Sequence, residues 1–188
     1  PLDFGSSVIS MGRTEDGQIF IGGKNVLSYL RPDSVGVMKF VLMMDKVPAQ
    51  WRQFGNAWST HAIGRHVYFQ CDNVILRWDI EQKTFHAITP QTDLAPGTSF
   101  FLSYPAPGGK HLLVQDMKVG LCKVTEQGLT PLPGGERMAG LQVFCVLPYD
   151  AKTWLVGARH HGLFLYDGAT FRKFDSPAND FILANDLS

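Results

Sequence analysis

The chain lacks an apolar run long enough to cross a membrane, a surplus of either charge, and a cysteine pair at metal or redox spacing. Its richest apolar stretch, Val37 to Met44, is short and interrupted by Lys39, whereas a membrane helix needs about 18 or more apolar residues in a row. Lys and Arg number 17 and Asp and Glu 17. With neither sign clustered, there is no basic stripe for nucleic acid or for an anionic membrane surface. Cys71, Cys122 and Cys145 form an odd set without C-x-x-C spacing. Cys122 and Cys145 lie inside apolar runs, where a thiol acts as a small buried hydrophobe, and the set leaves the redox compartment open. No nucleophile elbow, Walker or dinucleotide fingerprint occurs. Ile21-Gly22-Gly23-Lys24 lacks the spacing and the following helix of a phosphate cradle, and Pro133-Gly134-Gly135-Glu136-Arg137 reads as a turn. No metal-ligand spacing is present, so neither a metal nor a cofactor is expected. The chain opens at Pro1-Leu2-Asp3 without an initiator Met or a signal peptide. It is expected to be an excerpt or a processed form, and the missing targeting signals carry no weight.

What is present is a rhythm of short apolar runs. The 188 residues are 45% hydrophobic and 18% charged, enough for one ordinary domain with a substantial core. Thr153–Gly157 and Gly162–Tyr166 are predicted strands, and a third, Thr170–Phe174, follows the Asp167-Gly168 turn, a strong hairpin signal. Trp154-Leu155-Val156 and Leu163-Phe164-Leu165-Tyr166 are continuously apolar, the mark of strands covered on both faces. Val143–Leu147 precedes them. The same order of four strands is predicted over residues 8–44, 58–89 and 99–133, so that the last unit is 143–175. Gly22, Gln70, Gln115 and Gly157 fall at equivalent places, separated by 48, 45 and 42 residues. A four-strand unit recurring every 40 to 50 residues or so is the signature of a β-propeller, because one such sheet cannot cover both of its apolar faces alone. A β-sandwich, the competing architecture, predicts alternating strands with one wet face, unlike Phe144-Cys145-Val146-Leu147. The fold class is therefore all-β: four four-stranded blades, with Phe181-Ile182-Leu183-Ala184 expected to open a fifth over 181–188, in a chain that is part of a larger ring of seven or a similar number of blades.

Two stretches carry a family resemblance. Asp16-Gly17-x-Ile19-Phe20-Ile21-Gly22 resembles the D-G-x-[IL]-W-[IV]-G strand of the two-component regulator propeller. Gly162-Leu163-x-x-Tyr166-Asp167-Gly168-x-x-Phe171 is similar to the hairpin that follows it in that repeat. Ala178-Asn179-Asp180-Phe181-Ile182 resembles the way a next blade begins there. The second and third units depart, with Gln70 and Gln115 where the repeat has Gly; the repeat's Trp is Phe20 in the first unit, and Trp154 is one residue out of register. The resemblance implies an extracytoplasmic or periplasmic sensor propeller of a membrane-anchored bacterial receptor, of histidine kinase or diguanylate cyclase type. It implies a small-molecule or protein signal as partner, no nucleic acid, membrane contact only through other parts of the parent chain, and a dimer as one arrangement of the receptor. Its motifs specify a blade, not a ligand.

Candidate functional residues follow from geometry. In a propeller the turns between second and third strands open on one end of the ring. Here they carry Lys24 and Asn25, Asp72 and Asn73, Asp116 and Lys118, then Arg159, His160 and His161. Such a set of cations, carboxylates and imidazoles could bind a small polar or anionic ligand. Adjacent histidines on a strand point to opposite faces, so His160 and His161 do not make a metal pair. The loop from Asp45 to Ala57 carries Trp51, Arg52 and Phe54, residue types favoured in recognition surfaces; the alternative is a loop folded over its blade with the Trp buried. Three roles are open: a non-catalytic sensor, a propeller lyase or hydrolase acting on carbohydrate, and a scaffold for protein contacts. No residue is singled out as catalytic.

Overall fold

The computed structural model describes residues 5–90 and 99–185. They form four separate four-stranded antiparallel sheets, each with its strands in chain order. These are blades of an all-β propeller fold, not the two facing layers of a sandwich. The chain divides into two compact units, Pro1–Thr89 and Pro90–Ser188.

In the first unit, one blade is β1 (Val8–Arg13), β2 (Ile19–Gly23), β3 (Leu27–Pro32) and β4 (Met38–Leu42); the other is β5 (Ser59–Ile63), β6 (His66–Gln70), β7 (Ile75–Asp79) and β8 (Thr84–Ile88). Every residue of β7 is buried, while the outer strand β8 buries only Phe85 and Ile88. Interior strands are therefore covered on both faces, as their unbroken apolar runs require. The faces meet in one core. Phe69 touches Phe20 edge-on, with ring centroids 6.4 Å apart, and packs on Phe85, which in turn lies 4.9 Å from Trp78. The innermost strands approach so closely that a Cβ at Gly12 would lie 2.7 Å from the Thr60 carbonyl oxygen. Ser10 exploits this contact, donating to the Ala57 carbonyl at 2.7 Å and sharing a 2.8 Å bond with the Thr60 hydroxyl.

In the second unit the blades are β9 (Phe100–Pro105), β10 (Leu112–Asp116), β11 (Gly120–Thr125) and β12 (Gly128–Pro131), then β13 (Val143–Pro148), β14 (Trp154–Ala158), β15 (Gly162–Tyr166) and β16 (Phe171–Lys173). Leu113, Leu121, Met138, Val156 and Phe164 form its core. The Tyr104 hydroxyl enters this core and is satisfied by the Val143 carbonyl. Tyr166 stacks on Phe171 at 4.2 Å and leans on Trp154 at 5.2 Å.

The departures from the repeat have a packing cause. Gly22 and Gly157 each oppose a neighbour that leaves no room for a Cβ, which would lie 2.6 Å from the Ala57 Cβ and 2.8 Å from the Cys145 Sγ respectively. Gln70 and Gln115 instead fill their sites, fully buried, and their amides donate to the Cys71 and Met138 carbonyls at 3.1 and 2.7 Å. Register breaks interrupt the pairing of β1 with β2, of β9 with β10 and of β13 with β14, and these bulges were not legible in the apolar pattern.

One expectation is corrected. Residues 181–184 are not a strand: Pro177–Asn185 is a helix, α1. The Ser176 hydroxyl accepts the Asn179 amide at 3.2 Å and Pro177 takes the first helical position, where its missing N–H costs nothing. The remaining residues assigned to a next blade, 186–188, lie outside the described residues.

Candidate functional site

The first unit brings three of the expected residues together around the segment Gln53–Trp58. Asn25 takes the left-handed conformation, φ 54°, which its short amide tolerates. It then grips Gly55 twice: its backbone N–H donates to the Gly55 carbonyl at 2.8 Å, and its side-chain oxygen accepts the Gly55 N–H at 2.7 Å. Its amide nitrogen donates to Gln53 at 3.1 Å. Asp72 closes the other side, accepting the Asn56 N–H at 3.3 Å and the Trp58 indole N–H at 2.5 Å. Gly55 is at φ 78°, and a Cβ there would sit 1.8 Å from an Asp72 oxygen. Lys24 pairs with Asn56 through an isolated bridge, and Asn73 is half-buried beside Asp72. Asn25 and Asp72 thus spend their oxygens on backbone and indole donors and form a clasp, strengthened on the Asp72 side by charge. Facing solvent there are the Lys24 side chain and the ring of Trp58, which is 47% exposed. Trp58 was legible only as the start of a strand.

Of the two readings of the Asp45–Ala57 loop, the geometry follows the one that folds it over its blade. Phe54 is buried in the core of the unit and Trp51, half-buried on a 3-10 turn over Ala49–Trp51, packs against that core. Arg52 is exposed, yet its guanidinium donates to the Val47 and Asp45 carbonyls at 3.1 and 3.2 Å. The loop folds over its blade instead of presenting an aromatic-plus-arginine surface.

In the second unit, Asp116 is not a turn residue open to a ligand but the fully buried end of β10. One carboxylate oxygen accepts the Lys118 and Val119 amides at 2.9 and 3.1 Å, which shapes the turn and leaves Lys118 exposed. Arg159 is partly buried, its amide donating to the Gln142 carbonyl at 2.8 Å and its guanidinium lying 3.5 Å from the Gln142 side-chain oxygen. His160 stands exposed at φ 57°. The His161 Nδ1 lies 2.6 Å from the Arg159 carbonyl; a carbonyl can only accept, so the tautomer that makes this bond has its proton on Nδ1 and its lone pair on Nε2. Behind this turn, Asn179 of α1 accepts the Leu163 amide at 2.7 Å.

Burial raises the Cys71 thiol well above its ordinary value and, with the Asp116 carboxylate adding to it, pushes Cys122 up to about 12. Neither is a nucleophile at neutral pH. Among the described residues no three His, Cys, Asp or Glu side chains cluster as metal ligands.

A feature absent from the sequence reading is a groove in the first unit. This cavity of about 400 Å³ is lined by Phe20, Tyr29 and Trp78, by Asp16 of the β1–β2 turn, and by Lys46 and Lys83. Its residues span the unit from one blade to the next, so no local motif announces it.

No family model and no curated protein matches the chain. Solved structures do. Virginiamycin B lyase from Staphylococcus aureus is similar at 14% identity with a TM-score of 0.60, over 92% of this chain and 57% of the lyase. The extracellular domain of BT3049, a B. thetaiotaomicron protein described as a hybrid two component system, is similar at 13% identity with a TM-score of 0.62, over 93% of this chain and 25% of that one. The computationally designed protein Ika4 is similar at 10% identity with a TM-score of 0.56, over 89% of this chain and 95% of Ika4. The chain thus spans little more than half of the lyase and a quarter of the BT3049 domain. At such identities the likeness establishes the fold and not the activity.

Proposed function

We propose that the chain is part of the ligand-sensing propeller of a membrane-anchored bacterial receptor, of two-component histidine kinase or diguanylate cyclase type. It lies on the extracytoplasmic side and does no chemistry itself. The observation that supports this best is the likeness over nearly the whole chain to extracellular domains of proteins described as two component systems. The turns agree with it: both oxygens of the Asp72 carboxylate are committed to N–H groups, and Asp116 is buried, with one oxygen shaping its own turn. The groups left to meet a signal are Lys24 with the ring of Trp58 in the first unit, and Lys118 and His161 in the second. A sensor works by binding one arrangement of its receptor more tightly than another, since only differential affinity moves an equilibrium.

A propeller lyase is the second reading, favoured by the likeness to virginiamycin B lyase and by the basic Nε2 of exposed His161. The two separate in one experiment on the complete parent protein. Sugars, organic acids and nucleotides are screened by thermal shift, with each mixture then analysed by mass spectrometry. The sensor reading expects a ligand that raises the midpoint and is recovered unchanged. Turnover of that ligand, abolished by His161→Ala, would replace it with the lyase.

A further inference from the structure

The groove of the first unit is a built cavity. Its floor is a cross-strand ladder in which Phe20, Tyr29 and Val41 are directly paired along β2, β3 and β4. Phe20 and Tyr29 lie 5.9 Å apart, centroid to centroid, and Trp78 of the neighbouring blade supplies the facing wall. Three charged residues stand on that lining, one acidic and two basic. Asp16 comes from the β1–β2 turn, its carboxylate oriented by the Thr14 hydroxyl and the Gln18 amide, and these bonds hold its carboxyl below the ordinary range. Lys83 comes from the turn between β7 and β8. It forms no ion pair among the described residues, whereas Lys46, also on the lining, lies 3.7 Å from Asp45.

The backbone at Lys83 is the second observation. It sits at φ 55°, a left-handed conformation that glycine adopts freely and a lysine only at a cost. The turn needs this geometry, because the Lys83 amide donates to the Asp79 carbonyl at 2.9 Å. It does not need a cation. An exposed lysine held at positive φ on the lining of an aromatic cavity points to a ligand rather than to the fold.

We propose that this groove binds a free aromatic α-amino acid, its ring on the Phe20–Tyr29–Trp78 floor, its carboxylate at Lys83 and its ammonium at Asp16. An anionic ligand leaves Asp16 facing a like charge and a cationic one leaves Lys83 facing a like charge, whereas the zwitterion satisfies both, with Lys46 beside Asp45. The cavity is within the size range of small-molecule sites, about 300–1,000 Å³. The inference does not depend on the signalling role and would hold for a scaffold or an enzyme alike.

The test is a charge-deletion series measured by calorimetry on the whole chain, using L-phenylalanine, 3-phenylpropionate and phenethylamine. L-phenylalanine is expected to bind saturably at one site, at least about tenfold tighter than either analogue, since one lost partner is worth on the order of a decade in affinity. Lys83→Gly relieves the backbone, so it should fold with undiminished stability, yet lose the preference of L-phenylalanine over phenethylamine. Asp16→Asn should lose its preference over 3-phenylpropionate. Absence of saturable binding at millimolar L-phenylalanine, or an affinity that ignores Lys83→Gly, would overturn the assignment.

Discussion

The two units finish the same blade plan in different ways. In the first, Asn25 and Asp72 clasp an inter-blade segment, with Gly55 pressed against the Asp72 carboxylate. In the second, a helix supplies the clasp: Asn179 of α1 accepts the Leu163 amide, and Gly162 is pressed against the Asn179 side chain. Both solve one problem. A turn at the end of a blade exposes backbone N–H groups, and a short polar side chain from elsewhere must satisfy them where water is excluded. The first unit does this within its two blades and the second with a segment that follows its blades. Asn25, Asp72 and Asn179 are thereby used in architecture, while the ring of Trp58 and the side chain of Lys83 remain available.

This comparison can be sharpened by substitution. The largest effect is expected at Gly55→Ala, where a left-handed backbone and a carboxylate 1.8 Å from the new Cβ combine to cost about 3 kcal/mol or more in urea unfolding. Asp72→Ala comes next, at about 2 kcal/mol, since it strands the Asn56 amide and removes the charge-assisted bond to Trp58. Asn179→Ala should cost about 1 kcal/mol, because its clasp anchors a short helix instead of joining two blades. If Asn179→Ala costs as much as Asp72→Ala, the helix is as integral to its unit as the clasp is to the other. His161→Ala, on an exposed turn, should stay within about 0.5 kcal/mol.

Acid should affect both units alike and mildly. Asp16 and Asp79 in the first unit and Asp150 and Asp167 in the second have depressed carboxyl pKa values. The leading cause is the Thr14 hydroxyl for Asp16 and a backbone amide for the others, from Gln82, Lys152 and Thr170 respectively. A depressed folded pKa gives stability that is present above the unfolded value, about 4, and is lost as pH falls through the folded one. Urea midpoints should therefore be level from pH 7 to about 5 and decline below about 4. A decline beginning near pH 6 would point instead to His111, whose folded pKa desolvation holds below its ordinary value.

The strands were legible because continuous apolar runs, separated by short polar turns, are unambiguous when they recur. The four sheets begin and end within about two residues of the expected spans, whereas the expected start of a fifth is a helix. The helix was misread although its start signal, Ser176-Pro177, was in view; the short apolar run Phe181–Ala184 suits a strand or a helix equally. The turn residues other than Asp116, which ends β10, lie between second and third strands. Their use was hidden, because nothing in Asp72 or Asn25 alone tells whether a carbonyl oxygen meets a ligand or the amide of a residue such as Asn56. The groove was hidden for a related reason, since Phe20 and Trp78 are remote in sequence and meet only through packing.

Native-state hydrogen exchange at the Gly55 and Asn56 amides tests the clasp most directly, since each donates to a side chain, not to a strand. Both should be protected far beyond an open loop, with Asp72→Ala releasing Asn56 first and leaving the β6–β7 amides protected. Exchange of Gly55 and Asn56 at open-loop rates in the unsubstituted protein would mean that Asn25 and Asp72 are free for a ligand after all.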